Sequence, residues 1–213
     1  MARKAKTPQL PKVLPRSLPI ANVEIVPQQL FRVPERHPPG AGPWQGEYDK
    51  IGWIDAATDL RCIILRQENG TLSGYVGVKT GHPLFGIAAD ALPHAFLPPV
   101  HGELTYASAC EANVSEAVSV CHLAPQKRVG TSDVSPDEEI WWLGFDTDHP
   151  FDLVPAYSDR SSGHTGRIYR DQGYVYRECM KLARGLDAIG ENCGADLPPA
   201  FNKPVPLAGL KDA

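Results

Sequence analysis

Proline most restricts what this chain can fold into, because nine of its 21 prolines lie within residues 1–43. Each proline fixes φ and has no backbone N–H to donate, so neither a helix nor a central β-strand persists in such a segment. The sequence therefore predicts residues 1–43 as an extended or disordered, polyproline-like arm, with residues 23–26 as a short edge strand. Residues 197–213 are again proline-rich and are predicted as a tail, which leaves residues 44–196 for one folded domain.

Within residues 44–196, strand patterns come before the helix pattern. Residues 61–66 and 71–78 are separated by a turn at Asn69-Gly70, and Asn-Gly is a strong hairpin signal because both residues accept a positive φ. Gly74 and Gly77 in the return strand indicate a bulge or a close backbone approach. Further strands are predicted at residues 100–107 and 140–146.

One helix is predicted near the end of this domain. Asp171 is a suitable N-cap, and Gly190 can end the helix in the left-handed conformation. Between them, apolar residues recur at helical spacing: Val175, Cys179, Leu182 and Leu186. Strands that precede a single good helix predict the α+β class, an antiparallel sheet with one main C-terminal helix packed on one face and long loops.

Composition and charge argue against several classes of protein. A net charge of −4 makes nucleic acid an unexpected partner, apart from the basic residues of the arm. The sequence shows no apolar run of the roughly eighteen residues that span a bilayer and no secretion signal, so we expect a cytoplasmic protein without a membrane partner. The five cysteines form no CxxC pair, which disfavours a zinc cluster of Cys110, Cys121 and His122 and predicts free thiols.

Polar side chains that suit catalysis follow the apolar run 141–145. Asp146, His149 and Asp152 come after it, and His101 with Glu103 opens the run at 100–107. If the two runs pair, these side chains meet in one pocket. Imidazole and carboxylate groups bind zinc or manganese, so His101, Asp146 and His149 are predicted metal ligands. With Asp152 they form the candidate catalytic set, in which a metal would activate water as a nucleophile.

A structural interpretation of the same residues stays open. In it, Asp146 caps a turn, His149-Pro150 ends the strand, and His101 is a buried histidine with satisfied hydrogen bonds. A third interpretation needs no metal, since a His–Asp pair can serve as a general base and its orienting partner.

Aromatic and basic residues suggest how a ligand would be held. Adjacent strand residues face opposite sides, so one of Trp141 and Trp142 is predicted in the core and the other on a face where it can stack on a ligand. Further predicted ligand-binding residues lie in or beside the strands and loops: Tyr75, His82, Glu103 and Arg160. A tight structural turn at His82 and a solvated loop at Arg160 are the alternatives.

The order of these motifs resembles a family of uncharacterised proteins from phages, prophages and bacteria. The resemblance covers residues 44–187 and rests on GYVGV at 74–78, GHP at 81–83, HGELTY at 101–106, WWLGFD at 141–146 with His149 and Asp152, and a helix near 169–171. Glu103 stands where that family has glycine and Thr147 where it has cysteine. A metal cluster that uses that cysteine is therefore not expected here, whereas Asp146, His149 and Asp152 fit the pattern.

Three functions follow as hypotheses. The first, implied by the resemblance, is a phage-type accessory protein in the host cytoplasm that binds a small ligand or a host protein through a His/Asp pocket. The second is a metal-assisted hydrolase, acting on a phosphoester through His101, Asp146, His149 and Asp152. The third is a structural or assembly protein that forms a homo-oligomer through its N-terminal arm.

Overall fold

The computed structural model describes residues 14–93, 97–110, 114–121, 139–157 and 166–192, and these adopt the predicted α+β fold. Eight strands and one long helix make up its main elements: β1 (Leu18–Ile20), β2 (Val23–Ile25), β3 (Pro27–Phe31), β4 (Lys50–Ile54), β5 (Arg61–Arg66), β6 (Leu72–Lys79), β7 (Tyr106–Ala109), β8 (Ile140–Phe145) and α1 (Gln172–Asn192). Within the described ranges, no helix is both long and apolar enough to cross a membrane.

Six strands form one antiparallel sheet in the order β3-β4-β5-β6-β8-β7. The predicted hairpin is β5–β6, with Gly70 at φ +84° in its turn. The two apolar runs at 100–107 and 140–146 do pair, although β7 begins only at Tyr106. Strand β8 lies between β6 and β7, so it occupies the inner position although β7 precedes it in the chain.

Helix α1 covers one face of the sheet. Asp171 accepts a hydrogen bond from Tyr174 N at 2.7 Å, which is the N-cap interaction that the sequence predicts. The predicted apolar stripe is fully buried against the sheet: Val175, Cys179, Leu182 and Leu186. The helix continues two residues beyond Gly190, to Asn192.

The opposite face of the sheet is covered by residues 114–121, which we call the strap. Beneath it lies a second apolar cluster that includes Ile63, Leu65, Tyr75, Ile140 and Trp142, with Val120 of the strap packed against it. Segments of the chain therefore pack on both faces of the sheet.

The predicted boundary of the N-terminal arm is wrong, because the folded part begins well before residue 44. Strands β1 and β2 form a hairpin whose Ile20 and Ile25 enter the core, and β3 is an edge strand of the large sheet. Proline is tolerated here because Pro27 is the first residue of an edge strand, where a missing N–H interrupts no central ladder. Residues 18–31 therefore contribute to the fold of their own chain, so residues 1–43 are not one continuous arm, and residues 1–13 lie outside the described part.

The prediction of free thiols is wrong for two cysteines. Cys110, just after β7, and Cys121, at the end of the strap, form a disulfide with their Cα atoms 5.0 Å apart. Cys62 and Cys179 are free and buried. Spacing alone could not reveal the pair, because the strap must first fold back across the sheet before the two cysteines meet.

A buried ionic network joins the sheet to the start of α1. Arg66, at the end of β5, is 0% exposed and donates to Asp49 Oδ1 at 2.6 Å and to Glu47 Oε2 at 2.8 Å. Tyr169 OH donates to the same Glu47 oxygen at 2.7 Å, while Gln172 N donates to Glu47 Oε1 at 3.0 Å. The network fixes the position of the first turn of α1 relative to the sheet.

Candidate functional site

Asp152 is the centre of the main polar cluster. Its side chain is 1% exposed, and Oδ2 accepts hydrogen bonds from His101 Nε2 at 2.6 Å and from the backbone N–H of His149 at 3.1 Å. Its other oxygen, Oδ1, accepts from Arg170 Nε at 2.7 Å. Among the described residues, His101, His149 and Asp152 form the only group of three ligand-type side chains whose atoms lie within 4.8 Å of one another.

Three parts of the chain build this cluster. His101 lies in the turn before β7, and His149 and Asp152 lie in the turn after β8, so the pairing of β7 with β8 brings the two turns together. Asp152 also pairs with Ile168 in an isolated parallel bridge, which brings Arg170 and the start of α1 to the same place. The predicted convergence of distant segments therefore occurs for these three side chains.

The two imidazole rings are held in different ways. His101 has both nitrogens engaged, since Nδ1 lies 2.8 Å from Tyr174 OH and Nε2 contacts Asp152. His149 packs edge to face on His101, with ring centroids 5.0 Å apart. Its Nδ1 lies 3.5 Å from Asp152 Oδ2, yet this buried atom makes no hydrogen bond with any described residue. His149 is therefore the less satisfied partner of the pair.

A glycine leaves room for the His149 ring beside the rest of the cluster. Gly102 has φ +66°, and a Cβ placed on it would lie 2.0 Å from His149 Nε2. Only a residue without a side chain permits this contact without displacing the ring. Glu103 follows, exposed, and has φ +81°, a backbone conformation that favours glycine.

The carboxylate of Asp152 is stabilised in its charged form. Burial alone would raise the pKa of Asp152, but hydrogen bonds from Arg170 and His101, the charge of His101 and the His149 N–H outweigh it and lower that pKa. Asp152 is thus a permanent anion at neutral pH that can orient an imidazole or bind a cation.

This lowered pKa predicts a specific loss of stability in acid. The unfolded chain protonates Asp152 near its ordinary pKa of 3.8 and the folded chain only at lower pH, so the unfolded state binds more protons in between. We expect the free energy of unfolding of the wild type to fall more steeply below about pH 4 than that of Asp152→Asn. Urea titrations from neutral to acidic pH measure this. The exposed Asp148→Asn variant is the control, and equal slopes for wild type and Asp152→Asn would contradict the prediction.

Asp146, which was also predicted as a metal ligand, does not join the cluster. Its two carboxylate oxygens accept hydrogen bonds from Ser73 Oγ and Thr105 Oγ1, both at 2.6 Å. Phe145 at the end of β8 belongs to the core under α1, so the next residue, Asp146, faces the opposite side of the sheet. The turn after β8 brings Asp152 to the cluster instead.

Two of the aromatic residues that were predicted to stack on a ligand are buried in the core. Trp141 and Trp142 face opposite sides as expected, but Trp142 is 1% exposed beneath the strap, and Tyr75 is 5% exposed against Tyr106. Trp141 is partly buried, and its Nε1 donates to Ile87 O at 3.1 Å. Tyr75 and Trp142 are therefore core residues and not ligand platforms.

The predicted loop residues lie away from the cluster or outside the described chain. His82 Nε2 lies 2.8 Å from Leu186 O, so it ties its loop to the C-terminal half of α1. Arg160 and its loop lie outside the described residues.

Sequence reasoning missed Tyr174 as a member of the site and considered Arg170 only as one of several arginines that could bind a phosphate or carboxylate. Both precede or begin α1, and the Arg170 guanidinium stacks over the Tyr174 ring at 4.6 Å from its centroid. The predicted N-cap at Asp171 was a usable signal, because it places Tyr174 and Glu178 one turn apart on the same helix face. Glu178 Oε2 indeed accepts from the backbone N–H of His101 at 3.1 Å.

No protein-family model, curated protein or solved structure matches this chain, so the function is argued from the geometry of the site.

Proposed function

We propose that this is a binding protein whose ligand is a divalent transition metal ion held by His101, His149 and Asp152. The observation that supports the proposal is the buried Nδ1 of His149, which has no hydrogen-bond partner in the described chain and lies 3.5 Å from a carboxylate oxygen. A buried polar atom without a partner is costly, and a metal ion bonded to it would remove that cost.

One of the separations in the cluster is close to that expected around a tetrahedral zinc ion. Ligand atoms about 2.0–2.1 Å from zinc lie roughly 3.3 Å from each other, close to the His149–Asp152 separation of 3.5 Å. The His101–Asp152 separation of 2.6 Å would widen when the metal replaces the shared proton. His101 would then donate Nδ1–H to Tyr174 OH, as metal-binding histidines commonly do to a neighbouring oxygen.

The ligand set favours zinc over manganese. Zinc binds readily to imidazole nitrogen and stands above manganese in the stability order of divalent metals, whereas manganese prefers oxygen ligands. Arg170 holds the second carboxylate oxygen of Asp152, so only one oxygen faces the ion, which suits the low coordination number of zinc.

Metal titration of the purified full chain tests the proposal. After removal of metal by a chelator, we expect one equivalent of zinc to bind, more tightly than manganese, and both His149→Ala and Asp152→Asn to weaken binding by about 100-fold or more. His82→Ala is the matched control because His82 lies against α1 and outside the cluster. Absence of zinc binding, or equal affinity in His149→Ala and the wild type, would refute the site.

The close contact of Gly102 gives an independent prediction. Gly102→Ala should weaken zinc binding by about tenfold or more, because the new methyl group displaces His149, and should destabilise the fold by about 1–2 kcal/mol through its positive φ. Gly86 has a similar φ of +79° and open space around it, so Gly86→Ala should destabilise the fold through backbone strain without weakening zinc binding. Calorimetric titration and urea unfolding separate the two effects, and equal zinc affinities for these two variants would contradict the prediction.

A second candidate function, metal-assisted hydrolysis of a phosphoester, rests on the number of ligands. Three protein ligands leave a fourth position for water, the arrangement of catalytic zinc sites. The zinc-loaded protein is tested with bis(p-nitrophenyl) phosphate. Hydrolysis above that of zinc alone, retained in His82→Ala and lost in Asp152→Asn, would support catalysis. Hydrolysis no faster than with zinc alone would reject it and leave the binding proposal standing.

A further inference from the structure

Lys50 is a buried lysine on the side of the sheet opposite α1. Lys50 is 0% exposed, and its Nζ donates hydrogen bonds to the backbone carbonyls of Glu116 at 2.5 Å and Cys121 at 3.0 Å. The Phe31 ring lies beside it, with its centroid 5.8 Å from Nζ. Both carbonyls belong to the strap, so one segment of chain covers the amine.

The surroundings of Lys50 make its charged form less favourable than it is in water. Burial lowers the pKa of Lys50 to about 8, and attraction to the Glu116 carboxylate offsets only part of that shift. Removal of the cover would return the pKa of Lys50 toward the ordinary lysine value, because burial is the cause of the shift, but it would also expose Nζ to electrophiles in solvent. The strap therefore controls access to Lys50.

The disulfide is the covalent anchor of the strap. Cys121 supplies one of the two carbonyls that hold Lys50, and its sulfur is bonded to Cys110, which follows β7. The opposite part of the strap is held by weaker contacts, Ala117 against Phe31 and Gln29 hydrogen-bonded to the Glu116 side chain. Cleavage of the disulfide removes this covalent link and leaves noncovalent contacts to keep Lys50 covered, among them the packing of Val120 against the sheet.

We propose that Lys50 is a modification site for acyl donors, covered by the strap while Cys110–Cys121 is oxidised and uncovered when a dithiol reduces that bond. The site is distinct from the His101–His149–Asp152 cluster and does not depend on metal binding.

The chemistry has two balanced steps. In the first, the dithiol is oxidised to its own disulfide, the Cys110–Cys121 bond breaks, and each cysteine sulfur becomes a thiol. In the second, neutral Nζ of Lys50 attacks the carbonyl carbon of an activated acyl ester. The N–C bond forms, the bond from that carbon to the leaving oxygen breaks, and the amine proton passes to solvent.

Acylation kinetics on the full chain test the proposal. The probe is the N-hydroxysuccinimide ester of acetic acid at pH 8, with peptide mapping by mass spectrometry after timed quenching. A water-soluble phosphine serves as reductant, since it does not consume the ester as a thiol would. We expect acetylation of Lys50 to be at least about tenfold faster after reduction, because a disulfide of this loop size shifts a local opening equilibrium by that order. Lys79, which is partly exposed, is the internal control and should keep its rate.

Two further measurements separate strap release from general unfolding. The Cys110→Ser variant should acetylate Lys50 at the fast rate without any reductant. Cys62 and Cys179, buried beneath α1, should stay protected from iodoacetamide under the conditions in which Lys50 reacts. Equal Lys50 rates in the oxidised and reduced protein would overturn the proposal, and so would alkylation of these thiols in step with Lys50.

Discussion

Arg66→Ala is expected to lower the free energy of unfolding by about 3–5 kcal/mol, the cost of breaking a buried ion pair from one side. Arg66 is 0% exposed, and its guanidinium is shared between Asp49 and Glu47, which are themselves 1% and 8% exposed. Its removal leaves the Glu47 carboxylate without a cation and leaves the Asp49 carboxylate with His37 Nδ1, at 2.7 Å, as its remaining ionic partner. Urea unfolding followed by tryptophan fluorescence measures the loss.

Two comparisons make this result interpretable. Arg61→Ala changes the same residue type in the same strand at a partly exposed position, and it should cost less than about 1 kcal/mol. Adding Asp49→Asn to Arg66→Ala should destabilise less than the sum of the single changes, because one unpaired charge disappears. A loss below about 1 kcal/mol for Arg66→Ala would show that the network is not needed for stability.

Trp142→Ala is expected to destabilise the protein by about 3–5 kcal/mol, as removal of a large side chain from a closed core does. Trp142 is 1% exposed and packs with Ile63 and Tyr75 in the cluster beneath the strap. The void would be lined by the sheet on one side and the strap on the other, so it can collapse only if the strap moves. Chemical unfolding provides the measurement.

Trp141→Ala is the matched control, because it removes the same side chain from the adjacent position on the opposite face. Trp141 is partly exposed and makes one hydrogen bond, to Ile87 O, so we expect a loss of about 1–2 kcal/mol. A Trp142→Ala protein as stable as the wild type would contradict the burial of Trp142 beneath the strap. It would also make that ring a candidate for stacking on a ligand again.

Local signals in the sequence predict individual strands and helices better than the tertiary contacts between them. The Asn69-Gly70 turn and the apolar stripe from Val175 to Leu186 each lie within one short segment, and the structure confirms both. The arm boundary was wrong because the proline pattern does not distinguish an extended arm from an edge strand such as β3.

The candidate site was predicted only in part, because it too depends on contacts between distant segments of the chain. Pairing of the two apolar runs brought His101 to His149 and to Asp152, all three of them candidates from the sequence, but strand alternation turned Asp146 to the other face. Arg170 reaches Asp152 from another part of the chain, beside α1. Contacts of this kind depend on how loops cross the ends of strands, and residue spacing does not encode that crossing.

The inner position of β8 has a consequence for biosynthesis. Strand β6 is complete at residue 79, but the partner on its free side, β8, is made only at residues 140–145, and α1 follows at 172–192. A nascent chain on the ribosome therefore carries an unpaired strand edge for some sixty residues of elongation, and an uncovered apolar face for longer, until α1 is made. Such an intermediate is a natural client for a chaperone, and slow translation across this interval should increase aggregation.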